Sequence, residues 1–168
     1  MVDSLVHFFT DNLGGVIPAE AVIFIISMMP ILELRGGIIA SAIMQVPIVK
    51  AIIICVLGNI LPIPFILLLI TKIFDKLKQT KFLKPKIEKL ENKALSKSDN
   101  IKKYEFWGLV LFVGIPLPGT GAWTGSLIAA LLGVELKKSI PAILLGIALA
   151  TVIMCTVSYL IPYLISVM

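Results

Sequence analysis

Near the middle of an apolar run at residues 16–44 stand a glutamate and the only arginine of the chain, in Met29-Pro30-Ile31-Leu32-Glu33-Leu34-Arg35-Gly36-Gly37. An ionised side chain deep in a bilayer costs about 3 kcal/mol or more, so it is paired, faces water or serves a function. The backbone around the two charges is built to break. Pro30 lacks the amide that a helix interior needs, and the Gly36-Gly37 pair adds backbone entropy on the other side. A broken membrane helix carrying charges is the usual form of a transport site.

The bilayer is the right solvent to reason with. Of 168 residues 58% are hydrophobic and the mean hydropathy is +1.04, above the roughly 45–50% apolar usage of soluble domains. The excess falls into four blocks, at residues 16–44, 48–71, 106–134 and 140–168, with most charges between them. The first fifteen residues hold no Lys or Arg, so no cleaved signal peptide is expected. Cys55 and Cys155 lie within apolar blocks without metal-ligand spacing, which reads as packing. With one histidine, His7, far from the charged turn, and no nucleophile beside a base, neither an enzyme nor a metal or other cofactor is expected. Nucleic acid is a poor partner for the basic charge, because no basic and aromatic surface accompanies it.

The chain also resembles itself. Shifted by 88 residues, 20–72 aligns with 108–160 without a gap: Pro30 falls on Pro118, Gly37 on Gly125, Lys50 on Lys138 and Gly58 on Gly146. Shared apolar positions mean little in a membrane sequence, but shared helix breakers and a shared lone lysine predict an internal duplication. Each half then holds a long broken segment followed by a span. Residues 48–71 suffice to cross a core about 30 Å thick, whereas the arms of 16–44, split near its breakers, reach only about 20 Å each. That favours a hairpin that enters and leaves on one side, with its turn buried or lining a cavity. The partner segment breaks at Gly114-Ile115-Pro116-Leu117-Pro118-Gly119-Thr120-Gly121.

Charge orients the plan. Residues 72–104 carry eleven lysines against four acids, which places this connector in the cytoplasm. Re-entrant hairpins return Lys137 and Lys138 to that side, whereas four full spans would strand them outside. Lys50 stays outside as an exception, and both termini face outward. The fold class expected is all-α integral membrane: an inverted repeat of two re-entrant helical hairpins and two transmembrane helices. The boundaries are about 1–72 for the first repeat, 73–104 for the connector and 105–168 for the second repeat. Amphipathic interfacial helices complete it, one with Leu5, Phe8, Phe9 and Leu13 on a face opposite Asp3, His7 and Asp11, capped by Asp3 or Ser4. The other lies in the connector around Ile73, Phe74, Leu77, Ile87, Leu90, Ala94 and Ile101.

Glu33 and Arg35 would point apart on a helix but share a cavity in an extended turn between Pro30 and Gly36. Arginine offers a planar fork suited to phosphate or carboxylate. Low-dielectric surroundings favour a neutral carboxyl, which makes Glu33 a candidate proton carrier; a mutual salt bridge is the structural alternative. In the second turn, Gly119-Thr120-Gly121 leaves helix N-terminal amides free for an anion, with Thr120 or Thr124 as caps. Trp123 stands where Arg35 stands in the first half. Gly121, Gly125, Ala129 and Gly133 form a small-residue packing face. Asn59, with Pro62 and Pro64, interrupts the first span, and its amide points to packing or to a substrate.

The pairing of Pro30-Ile-Leu-Glu33-Leu-Arg35-Gly36-Gly37 with Gly114-Ile-Pro116-Leu-Pro118-Gly119-Thr120-Gly121-Ala-Trp123-Thr124-Gly125 resembles the small multi-drug export protein family of bacteria and archaea, over nearly the whole chain. That family is distantly similar to the DedA superfamily, whose paired re-entrant hairpins are implicated in moving polyprenyl-phosphate carriers or phospholipids. Glu33 and Arg35 match the charged tip of the first DedA-like hairpin. The second tip departs, with Pro116, Pro118, Gly119 and Trp123 where arginines are usual. The resulting expectation is a small plasma-membrane transporter, homodimeric, contacting membrane lipids. It moves an anionic or amphipathic substrate such as a lipid phosphate with ion coupling. Proton-driven export of lipophilic cations and a non-transporting scaffold are the alternatives.

Overall fold

The computed structural model describes residues 2–13 and 17–167, and among these every regular element is helical. In order they are α1 (Val2–Leu13), α2 (Ala19–Met28), α3 (Glu33–Ile43), α4 (Ile48–Ile60), α5 (Ile63–Lys78), α6 (Lys84–Leu95), α7 (Asp99–Gly114), α8 (Ala122–Leu131) and α9 (Leu136–Cys155). A π-helical turn at Thr156–Leu160 then leads into α10 (Ile161–Val167). Pro18 and Pro47 stand just ahead of α2 and α4, where a fixed φ helps a helix start. Two continuous apolar runs, Ile48–Lys78 and Leu136–Ile165, are long enough to cross a membrane. α2, α3 and α8 have 10, 11 and 10 residues, or roughly 15 Å each.

The broken segments double back. α2 packs along α3, and both rest on α4. Lys50, at the start of α4, reaches Glu20 at the start of α2 with 2.6 Å between charged atoms. The outer ends of α2 and α3 therefore lie together, opposite their break. The second half repeats this: α7 and α8 both pack on α9, and Lys138 at the start of α9 holds Glu105 at 2.8 Å. The lysine shared at an offset of 88 thus has the same task in each half. So do two glycines. A Cβ added at Gly58 would lie 2.8 Å from the Phe24 carbonyl of α2, and one at Gly146 would lie 3.0 Å from the Val110 carbonyl of α7.

The backbone repeats more closely than the side chains. Positive φ occurs at Ile31 (84°), Glu33 (51°) and Gln45 (54°), and again at Gly119 (77°), Gly121 (129°) and Gly133 (67°). Each pair is 88 residues apart. The later member of each of these pairs is glycine, for which this region costs little. In the first half a β-branched residue and two long side chains adopt it, at about 1–2 kcal/mol each. The halves also embrace: α8 packs on α5, while α3 packs on the end of α9 and the π turn. There the Tyr159 hydroxyl bonds Ser41 Oγ at 2.7 Å and donates to the Val46 carbonyl at 3.1 Å.

Several expectations are corrected. Gly36 and Gly37 do not break the chain; they are buried inside α3, because the turn ends at Leu32. They face Leu32 and Ile26, and Ser27 and Cys55, which leave no room for a side chain. Ile73, Phe74 and Leu77 continue α5 rather than starting an interfacial helix. The connector folds back onto the bundle, with α6 against α5 and α8, Ile87 and Ala94 buried, and Lys78 paired to Glu91 at 2.6 Å. Ile101 is buried as well, while Leu90 is half-exposed. α7 begins at Asp99 and kinks at Glu105 (φ 35°). On α1 Val6 and Thr10 are buried, Phe8 is exposed and Phe9 packs against the core. The side chains of Asp3, Leu5 and Leu13 lie outside the described residues. Of the small-residue face, Gly125 lies on Val113 and Leu109 of α7 and Ala129 is buried, whereas nothing lies within 4 Å of a Cβ added at Gly133.

Candidate functional site

The two breaks meet, and each supplies what the other lacks. A helix ends with unpaired carbonyls and begins with unpaired amides. α8 begins at Ala122 after Gly121 with no side-chain cap of its own; neither Thr120 nor Thr124 provides one. Glu33, from the other half, does. Its Oε2 accepts the Ala122 amide at 2.8 Å and its Oε1 the Trp123 amide at 3.1 Å. The carboxylate is 4% exposed. Two charge-assisted bonds and the positive end of the α8 dipole compensate its lost hydration.

Arg35 addresses the other side of the same break. One Nη donates to the Leu117 carbonyl at 2.6 Å, and the other to Thr120 Oγ1 at 2.8 Å and the Ile115 carbonyl at 3.4 Å. Thr120 Oγ1 in turn donates to the Leu117 carbonyl at 2.8 Å. A cation beside carbonyls that follow a helix C-terminus is favoured by the dipole of α7. The expected extended turn is not needed for this. Glu33 and Arg35 occupy the first turn of α3, and because residues two apart on a helix point differently, one reaches the start of α8 and the other the end of α7. Among the described residues no ion pair joins them, so the mutual salt bridge is not what holds the turn.

The exchange is reciprocal. Trp123, at the position 88 residues after Arg35, donates its indole Nε1–H to the Met28 carbonyl, the last residue of α2, at 3.0 Å. Gly121 is what lets Glu33 approach, since any side chain there would land on its carboxylate. Between the breaks lies a cavity of about 270 Å³ lined by Pro30, Ile31, Glu33, Arg35, Pro118, Gly119, Thr120, Trp123, Thr124 and Leu127.

Of the residues singled out from sequence, Pro30, Glu33, Arg35, Pro118, Gly119, Thr120 and Trp123 converge on this cavity, and Gly121 lies beneath Glu33. Gly36, Gly37 and Asn59 do not. Asn59 is buried in α4, 2% exposed, and its Oδ1 has no hydrogen-bond partner among the described residues. Sequence reasoning missed Lys97, whose Nζ donates to the Gly119 carbonyl at 2.9 Å. Among eleven connector lysines nothing local distinguishes it.

A family model described as "Putative small multi-drug export protein" matches residues 33–153, from the charged first turn of α3 to near the end of α9. No curated protein and no solved structure matches the chain.

Proposed function

The chain belongs to the small multi-drug export protein family, and we propose that it is a small plasma-membrane exporter built as an inverted repeat of two re-entrant hairpins. The recurrence of positive φ at 31 and 119, 33 and 121, and 45 and 133 supports the duplication. The paired outer lysines, the common glycine contacts and the crosswise packing of each hairpin on the other half support it further. Arms of about 15 Å reach half way through a core of about 30 Å, so their tips meet near its centre. The Lys-rich connector belongs on the cytoplasmic side and the termini on the other. The repeats run over about 1–72 and 105–168.

The observation that carries the functional reading is the reciprocal clasp around the 270 Å³ cavity. Its donors and acceptors hold each other, so a substrate gains entry only by exchange. The substrate is amphipathic, with an anionic head such as a lipid phosphate. Its head takes the Arg35 fork and the Ala122 and Trp123 amides in place of Glu33. Glu33 is the coupling group: a proton on it removes the charge those amides and the α8 dipole attract, which frees them. Four apolar segments enclose little volume, and a homodimer with surrounding lipid completes the path.

The test is flux through liposomes containing wild type, Arg35→Ala or Glu33→Gln. Both substitutions are expected to reduce export of an amphipathic anion at least tenfold, and equal flux in all three would remove these residues from the mechanism. A second reading has one observation in its favour, that Trp123 and Glu33 line the same cavity, a combination that suits a lipophilic cation. Cation export that survives Arg35→Ala but not Glu33→Gln would establish it instead.

A further inference from the structure

Beside the central cavity runs a larger groove of about 620 Å³, bounded by Lys97, Tyr104, Trp107, Leu111, Phe112 and the loop at 115–120. This is within the range of about 300–1,000 Å³ that accommodates drug-sized ligands. Its two ends differ. One is aromatic and apolar, with Trp107 62% and Leu111 51% exposed along α7. The other is polar, formed by the half-buried Lys97 and Thr120 against the second break. Pro118 and Thr120 line both the groove and the central cavity, so the loop at 115–120 is the wall between them.

Two cations of the chain hold that wall, and both do so through neutral oxygens. Arg35 grips the Leu117 and Ile115 carbonyls and Thr120 from the cavity side, and Lys97 grips the Gly119 carbonyl at the groove's polar end. An anion is a better acceptor than a carbonyl, since charge-assisted hydrogen bonds are about twice as strong as neutral ones. A negative head group in the groove would draw Lys97, and then Arg35, off the loop they latch. The surrounding connector, eleven lysines against four acids over residues 72–104, raises the local concentration of anions.

We propose that this groove is the access site for a single-chain amphipathic anion, its head at Lys97 and its tail along Trp107 and Leu111, and that the loop at 115–120 is the gate it opens into the central cavity. The assignment rests on the exporter reading and adds the substrate class, the route and Lys97 to it.

The test uses the full chain in nanodiscs of phosphatidylcholine, with radiolabelled dodecyl phosphate as ligand and empty discs as blank. Wild type binds saturably. Lys97→Gln and Trp107→Ala each weaken binding tenfold or more, Lys97→Arg retains it, and Lys137→Gln leaves it unchanged, with circular dichroism melting checking that each variant folds. Neither inorganic phosphate nor dodecyltrimethylammonium competes. Unaltered binding in Lys97→Gln, or equal competition by the cation, overturns the proposal. Displacement by phosphatidic acid placed in the disc reassigns the groove to bilayer lipid and overturns it also. Flux of dodecyl phosphate in liposomes separates the two readings. Lys97-dependent binding without wild-type flux sinks the exporter and leaves the groove; undiminished flux and binding in Lys97→Gln leaves the exporter and sinks the groove.

Discussion

Gly121 and Gly133 flank α8, both at positive φ, yet substituting each by alanine should have quite different consequences. At Gly133 an added Cβ meets nothing within 4 Å, so Gly133→Ala carries only the cost of a left-handed L-residue, about 1–2 kcal/mol. Gly121 has φ 129° and ψ −175°, a region reserved to glycine that costs an L-residue roughly 1–3 kcal/mol. There the Cβ also displaces the Glu33 carboxylate from the Ala122 and Trp123 amides. Each of those bonds contributes about 1.5–3 kcal/mol because one partner is charged. Gly121→Ala should therefore cost about 4 kcal/mol or more. Reversible unfolding in mixed micelles, followed by circular dichroism, measures both. A double-mutant cycle with Glu33→Ala isolates the cause: once the carboxylate is gone, Gly121→Ala should cost only its backbone term, giving a coupling of about 2 kcal/mol or more. If the two glycine substitutions cost the same within about 0.5 kcal/mol, or the cycle shows no coupling, Glu33 is not the cap that joins the halves.

Arg35→Lys keeps the charge but replaces a fork serving Leu117, Ile115 and Thr120 by a point donor, so it should lower stability by about 1–3 kcal/mol; an unchanged unfolding midpoint would contradict this. Trp123→Phe leaves the Met28 carbonyl unpartnered at about 1–3 kcal/mol, and should expose cysteines introduced at the breaks to membrane-permeant thiol reagents faster than in the parent. Gln45→Gly relieves a positive φ at an exposed side chain, worth about 1–2 kcal/mol, against about 0.5–1 kcal/mol of added chain entropy, so a net gain of up to about 1 kcal/mol should be readable as a higher denaturant midpoint. Lys50→Gln and Lys138→Gln remove equivalent solvent-exposed pairs; each should lower the unfolding midpoint only slightly, and less at high salt. A much larger loss from either one would break the equivalence of the halves.

The breaks were legible because proline announces itself locally. Pro30, and Pro116 with Pro118, lack the amide that a helix interior needs, and the offset of 88 residues between Pro30 and Pro118 suggested an internal duplication. Gly36 and Gly37 misled the reading for a related reason. Glycine weakens an isolated helix, but in a packed bundle the absence of a side chain is what admits Ile26, Ser27 and Cys55, and packing outweighs propensity. Ile31, Glu33 and Gln45 gave no sign of their backbone. Only their counterparts Gly119, Gly121 and Gly133 show that these are turns, and local sequence would not put an isoleucine there.

From sequence alone come the all-helical apolar character, the two interrupted segments, the cationic connector and many of the residues that converge, because hydropathy, charge and missing amides are properties of the chain itself. Tertiary structure alone decided their partners. A carboxylate and a guanidinium can satisfy any unpaired amide or carbonyl within reach, and which ones lie within reach of Glu33, Arg35, Trp123 and Lys97 depends on contacts between residues more than eighty positions apart, or twenty-two in the case of Lys97, which no local pattern encodes.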